Sequence, residues 1–506
     1  MINVDAVLQS MDLLLGSWNI WIVIIPGLII GIVAGSIAGV SNTMAMAICL
    51  PLTLYMDFLP AVLFLTAIFT GGGYGGAVTS ILMGIPGTTS AVATTFDGYP
   101  MARAGKHNEA LGLALVSSVF GVLVGYVVLF LLVAPMGYWV VRLGSLEMLM
   151  IALWGLTMIA TLGSDHLQRG LIAGLFGVIL GTVGMNTAGY VRGTYGISFL
   201  LDGIPVVPAM VGMFAASQLF ILIGTKFLVE DESLRRANFR KVMAGAWLVL
   251  KYPYVLLRGT FIGVFIGAVP GVGASIGNLI SYAAAKRVDR DSDSFGKGNP
   301  KGVIAAETAN SSSEGGSMVT MLALGIPGGG GTAMLLAAFA MHNVTSGPHF
   351  ISGQMHIVYA IIFSNFAQAF LLIFVGLAFL SIAGNIVRIP LHILIPSVMV
   401  LAVIGSFAVT GDQAGPITLF FFAILGWLMK RYDYPVAAAV IGLLLGRMLE
   451  TELIRSYQRS AGEVQFILER PIALVFFILL VLSLFQPMLM RSWRAYRDAR
   501  KRAGDA

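Results

Sequence analysis

The chain has 506 residues, 58% of them hydrophobic and 11% charged, with a formal net charge of +6. Soluble domains carry roughly 25% charged residues, so this composition excludes a protein whose only solvent is water and points to a lipid bilayer. The single cysteine, Cys49, excludes an intramolecular disulfide and a cysteine-cluster metal site. The basic excess lies in short loops and at the C-terminus, which marks membrane orientation and not a nucleic-acid partner.

The N-terminal segment has no basic stretch before its first apolar run, and Asp5 and Asp12 precede that run, so it does not read as a cleaved signal. Apolar runs then recur along the chain: Val116 to Met136 without a charge, Leu171 to Met185, Leu371 to Ile386 and Ile472 to Met490. A helix needs about 20 such residues to cross the hydrocarbon layer. The pattern predicts an all-α polytopic membrane protein with about 12 transmembrane helices and some re-entrant or broken helical hairpins. Residues 1–225 read as a first transmembrane repeat with scaffold helices. Residues 226–252, with Arg235, Arg236, Arg240 and Lys241, read as a cytoplasmic connector. Residues 253–490 read as a second repeat, and 491–506 as a basic cytoplasmic tail.

Two motifs occur twice in the same order. Gly31, Gly35 and Gly39 recur as Gly259, Gly263 and Gly267, the latter followed by Pro270-Gly271. Gly84-Ile-Pro-Gly87 recurs as Gly325-Ile-Pro-Gly328, each preceded by a glycine pair, Gly75-Gly76 or Gly315-Gly316. Basic residues switch loops between the copies. Arg103 and Lys106 follow the first Gly-Ile-Pro-Gly segment, whereas the stretch from Met341 to Phe350 after the second has neither Lys nor Arg. The reverse holds between the motifs, where only the second copy is basic, with Lys286, Arg287, Arg290, Lys297 and Lys301. Under the positive-inside rule the two copies face opposite ways, the arrangement of secondary transporters with inverted repeats.

Gly-Ile-Pro-Gly breaks a helix, because proline removes a backbone donor and glycine permits positive φ. A helix that restarts after the break presents free N–H groups and a positive dipole end, which bind anions. The candidate substrate-binding residues are therefore Ser41, Asn42, Thr43, Gly87, Thr88, Thr89 and Ser90 in the first copy, and Gly271, Ser275, Asn310, Ser311, Gly328, Gly329 and Thr332 in the second. None is cationic, as suits a membrane interior where Arg and Lys are costly, so a small organic carboxylate would be held by backbone N–H groups, hydroxyls and amides. Free carbonyls near Gly84, Pro86, Gly325 and Pro327 can coordinate Na⁺ as a coupling ion. The Gly-xxx-Gly runs read as helix packing, Asp97 and Asp202 as capping or turn residues, and Glu307 and Glu314 as candidate proton or cation partners. No phosphate-binding loop and no nucleophile elbow occurs, so the chain reads as no enzyme and needs no cofactor beyond that ion.

These residues resemble the large membrane subunit of tripartite tricarboxylate transporters. The resemblance rests on Gly75-Gly76, Gly84-Ile-Pro-Gly87, Asp97-Gly-Tyr-Pro100, Arg192-Gly-Thr-Tyr-Gly196, Asp202-Gly-Ile-Pro205, Pro270-Gly-Val-Gly273, Tyr282-Ala-Ala-Ala-Lys286, Phe295-Gly-Lys-Gly298, Glu307-Thr-Ala-Asn310 and Leu324-Gly-Ile-Pro-Gly328. Departures touch the expected site: Asn42-Thr43 stands where the first Pro-Gly is expected, Asn310-Ser311 where Asn-Asn is usual, Met185-Asn186 in place of an acidic position and Gln218 in place of Glu. The resemblance implies a multi-pass protein of the bacterial inner membrane that works with a small membrane subunit and a periplasmic solute-binding protein. It implies cation-coupled uptake of a tricarboxylate or dicarboxylate. A stand-alone organic-anion transporter is the alternative, and a membrane enzyme would need intramembrane catalytic groups that are not seen.

Overall fold

The computed structural model describes residues 3–37, 40–140, 143–162, 167–217, 238–270, 273–380, 391–460 and 470–484. In chain order the helices are α1 Val4–Gly16, α2 Trp18–Gly35, α3 Asn42–Cys49, α4 Phe58–Met83, α5 Val92–Met101, α6 His107–Val140, α7 Ser145–Leu162, α8 Leu167–Gly181 and α9 Val206–Val211. They continue with α10 Phe239–Val249, α11 Pro253–Gly267, α12 Gly273–Val288, α13 Pro300–Leu324, α14 Gly330–Met341, α15 Pro348–Gly353, α16 Met355–Leu380, α17 Leu391–Thr410, α18 Ala414–Arg431 and α19 Val436–Ser460. Among the described residues the only strands form a two-residue hairpin, Gly184–Met185 against Val191–Arg192. The chain divides into two compact units, 1–141 with 205–428, and 142–204 with 429–506.

Among the described residues, five helical segments are long and apolar enough to cross a bilayer, or six if α10 and α11, bent by 79°, make one span. Helix α13 is as long, with 25 residues, but Glu307, Asn310, Ser311, Ser312, Ser313 and Glu314 make it too polar to face lipid. It is instead enclosed by protein, with every residue from Gly302 to Ala323 buried. Polar groups at membrane depth are tolerated only in such surroundings.

Glycine seams build the first unit. A Cβ on Gly31 would lie 2.3 Å from the Ile68 carbonyl oxygen, and one on Gly35 2.5 Å from that of Gly72, so α2 lies backbone to backbone on α4. The second copy repeats the contact: a Cβ on Gly263 would lie 2.4 Å from the Ala309 carbonyl oxygen, and one on Gly267 2.2 Å from that of Ser313. The expected helix-packing role is thus observed at Gly31, Gly35, Gly263 and Gly267, while Gly39 lies outside the described residues. In each seam the partner residues advance together along the chain, so α2 runs parallel to α4 and α11 parallel to α13. Between the copies the order reverses: Thr70 meets Glu314, whereas Gly73 faces Asn310 and Ser311, so α4 and α13 cross antiparallel.

The segment read as a connector is described from Asn238 onward. Asn238 caps α10 through its side chain and donates its own N–H to Asn108 Oδ1 at 2.9 Å. Gly245 brings the helix onto α6 at the Glu109 carbonyl. The charged loop after α12 carries the pair Lys301 Nζ–Asp289 Oδ2 at 2.6 Å, and this hydrogen bond holds the Asp289 carboxyl below its usual range. In the second unit α8 and α19 meet through Gly177 and Gly442, Glu450 accepts from Arg192 and Asn186, and Arg470 pairs with Glu147 at 3.2 Å.

Candidate functional site

Both Gly-Ile-Pro-Gly motifs end a long helix in the same way. Gly84 closes α4 at φ 70°, ψ 12°, and Gly325 closes α13 at φ 70°, ψ 18°. Their N–H groups return to Ser80 and Met321. The left-handed conformation requires glycine at both points. The chain then folds back so tightly that Cβ atoms on Gly87 and Gly328 would lie 2.2 Å from the Gly35 carbonyl oxygen and 2.7 Å from that of Gly267. The matched glycines of the two copies therefore meet matched partners. This register pairs Gly75 with Gly316, and it brings Asn42 and Thr43 opposite Ala274 and Ser275. In this register Asn42-Thr43 does not stand opposite Pro270-Gly271, which corrects that expectation; Ala38, Gly39 and Gly271 lie outside the described residues.

The helix restart of each copy meets the first break of the other. Ser275 Oγ donates to Thr89 Oγ1 at 3.0 Å, and Thr43 Oγ1 lies 2.5 Å from where a Gly330 Cβ would be. Asn278 donates its amide to the Ser90 carbonyl, and Thr88 and Ser90 share a hydrogen bond at 3.1 Å. Asn42 and Asn310 converge on Gly73 of α4 from opposite copies. With the Asn42 amide oriented to satisfy both groups, its nitrogen donates to the Gly72 carbonyl at 3.1 Å and its oxygen accepts from Gly73 N–H at 3.2 Å. Asn310 Nδ2 donates to the Gly73 carbonyl at 3.4 Å. Of the expected residues, Ser41, Thr43, Thr89, Ser275 and Gly329 are at least partly exposed along this seam, whereas Asn42, Gly87, Thr88, Ser90, Asn310, Ser311, Gly328 and Thr332 are buried. Two hydroxyls are used by helix starts: Ser41 caps α3 by accepting from Met44 N–H, and Thr332 accepts from Gly329 N–H at the start of α14. Gly271 lies outside the described residues, as does Gln218.

Two features lie beyond the sequence reading. The first is the surroundings of Glu307 and Glu314, 0% and 4% exposed. Glu307 accepts from Thr94 of α5 and from Ser118 of α6 at 3.3 Å. Glu314 accepts from Thr70 of α4 at 2.8 Å and from Tyr126 of α6 at 2.9 Å. Only the carboxylates themselves were visible as a signal, because their partners come from three distant helices. The second is Asp97, expected at a cap or turn. It lies inside α5, fully buried, and binds the charged loop of the other copy. Its Oδ1 accepts from the N–H groups of Gly296, Gly298 and Asn299 at 2.9, 2.8 and 2.8 Å, and its Oδ2 accepts from Tyr282 at 2.9 Å. That correction follows from loop geometry, where Gly296 and Gly298 at positive φ turn successive N–H groups to one point.

A sequence model of the tripartite tricarboxylate transporter TctA family matches residues 21–441. The chain belongs to that family. As a TctA-family protein it belongs to a transporter family and not to an enzyme class, and it is the large-subunit type of a transporter assembled from several components. It is 30% identical over 452 residues to an uncharacterised 52.8 kDa protein in the TAR-I ttuC′ 3′ region of Agrobacterium vitis, covering 88% of this chain and 89% of the relative. An uncharacterised protein in the TAR-II ttuC′ 3′ region of the same organism is 28% identical over 211 residues, covering 42% of this chain and 87% of the relative. No solved structure matches the TctA-family chain.

Proposed function

We propose that this chain is the translocating subunit of a secondary transporter that imports a small tricarboxylate or dicarboxylate across the bacterial inner membrane, driven by a cation gradient. It works with a small membrane subunit and takes its solute from a periplasmic binding protein. The observation that carries the reading is the reciprocal crossing of the two helix breaks, Ser275 on Thr89 in one direction and Thr43 on Gly330 in the other. Two matched broken hairpins of opposite polarity provide one seam that either half can open, which is the geometry of alternating access. The antiparallel crossing of α4 and α13 supports reading the copies as inverted repeats.

An anion at the seam is held by helix N-termini, hydroxyls and amides, with the charge spread over several neutral donors. Thr89→Ala combined with Ser275→Ala removes two hydroxyls that are at least partly exposed, so membrane abundance should hold. Loss of two hydrogen bonds to an anion should raise the KM for carboxylate uptake about tenfold. Uptake assays in vesicles carrying the complete transporter test this, and an unchanged KM for every carboxylate transported would remove the seam as the binding site. Equal uptake with and without the binding protein would point to the stand-alone transporter instead.

A further inference from the structure

The coupling ion is the part of this function with its own structural mark, and the inference rests on the transport reading above. We propose that Glu307 and Glu314 carry the coupling protons: they are protonated when an anion occupies the seam beside Asn310 and give up their protons when it leaves.

Three observations carry the inference. First, no cation contacts either carboxylate among the described residues. The charged groups on the surrounding helices are engaged or remote. On α5, Asp97 is saturated by Tyr282 and three N–H groups. Lys301, at the start of α13, pairs with Asp289, and Arg258 of α11 acts on that same aspartate. Lys286 and Arg287 are exposed at the end of α12, His107 and Glu109 lie at the start of α6, and His349 of α15 is exposed. A bare carboxylate in such an interior is expensive, so the group is neutralised by a proton or a bound cation.

Second, the cages suit a proton. Thr70, Thr94, Ser118 and Tyr126 are all hydroxyls. A hydroxyl donates to a carboxylate and, turned about its C–O bond, accepts from a carboxylic acid, so one cage serves both states without movement of the helices.

Third, Asn310 connects the carboxylates to the seam. It stands three residues after Glu307 and four before Glu314, on one face of α13, and its amide reaches the Gly73 carbonyl. An anion drawn to that amide faces a glutamate about one helical turn away on each side. Like charges raise each other's proton affinity. Anion binding therefore draws protons onto the glutamates, and by reciprocity protonation tightens anion binding. The proton leaves one bulk phase, adds to a carboxylate oxygen, and dissociates to the other phase after the anion has gone; no other bond changes.

The test uses membrane vesicles carrying the complete transporter and a labelled panel of citrate, malate and succinate. For whichever is exchanged, the apparent Kd is measured from about pH 6.5 to about pH 8.5, where the substrate's own carboxylates are mostly ionised. The wild type should weaken by about tenfold per pH unit for each linked proton. Glu307→Gln and Glu314→Gln should each reduce that slope. The double variant should bind independently of pH, keep substrate exchange, and lose uphill uptake driven by an imposed pH gradient. If the glutamine variants fail to accumulate, the wild-type slope and its response to imposed gradients still decide the matter. A flat wild-type profile, uphill uptake driven by a Na⁺ gradient and not by a pH gradient, or a double variant that keeps the full slope would each overturn the proton assignment while leaving transport itself intact. If no carboxylate were bound or exchanged at all, the transport reading would fall first, and the proton assignment with it.

Discussion

Replacing Gly75 or Gly316 with valine should cut the amount of protein in the membrane to below one tenth, and the two substitutions should act alike. A Cβ on Gly75 would lie 2.3 Å from the Ile32 carbonyl oxygen, and one on Gly316 2.2 Å from that of Val264. Both obstacles are backbone, which cannot rotate aside as a side chain can. The helices would have to part, losing close packing along α2–α4 or α11–α13 and exposing peptide groups to lipid. Overpacking of this kind costs about 3 kcal/mol or more, roughly a hundredfold in the folded fraction. Gly353→Ala provides the control, because a Cβ there meets nothing within 4 Å. Membrane yield and the thermal stability of the solubilised protein measure the effect. Normal accumulation of both valine variants would mean that the seams are not formed by direct backbone contact, and a large difference between them would count against the matched register.

The Asp97 latch should give the second large effect. Asp97→Ala leaves three N–H groups of the 296–299 loop and the Tyr282 hydroxyl without their acceptor. Hydrogen bonds to a carboxylate are stronger than neutral ones, and losing several together should cost about 3–5 kcal/mol. Asp97→Asn keeps an oxygen for the loop, and Tyr282 can turn to accept from the new amide, so the cost should fall to about 1–2 kcal/mol. Tyr282→Phe removes one donor and should resemble Asp97→Asn. Gly302→Ala attacks the same point from α13, since its Cβ would lie 2.1 Å from Asp97 Oδ2. Limited proteolysis of the 289–299 loop reads the latch directly, alongside uptake. Cleavage in Asp97→Ala no faster than in the wild type would show that something else holds the loop.

The membrane class, the duplicated motifs and most seam residues were legible in the sequence because each depends on local order. Apolar runs of membrane length, proline with glycine inside them, and basic residues that change loops are properties of neighbouring residues, and Gly84 and Gly325 adopt the conformations their motifs demand. The glutamates were legible as charges out of place, but not the hydroxyls that enclose them. Thr70, Thr94, Ser118 and Tyr126 lie about 190 to 240 residues from their partners and follow no pattern that periodicity would reveal. Asp97 was misread for the same reason: Asp followed by Gly suggests a turn, whereas its partners are a loop some 200 residues later.

By itself, then, the sequence determined the solvent, the helical character, the positions of the breaks and the duplication of their motifs, all set by hydropathy and by the conformational limits of proline and glycine. Only tertiary structure decided which copy meets which. It set Ser275 against Thr89, brought Asn42 and Asn310 to adjoining peptide groups of α4 at Gly73, and enclosed two carboxylates in hydroxyls. Those pairings depend on how closely helices approach one another, and that distance is fixed jointly by glycines on separate helices whose meeting no single segment encodes.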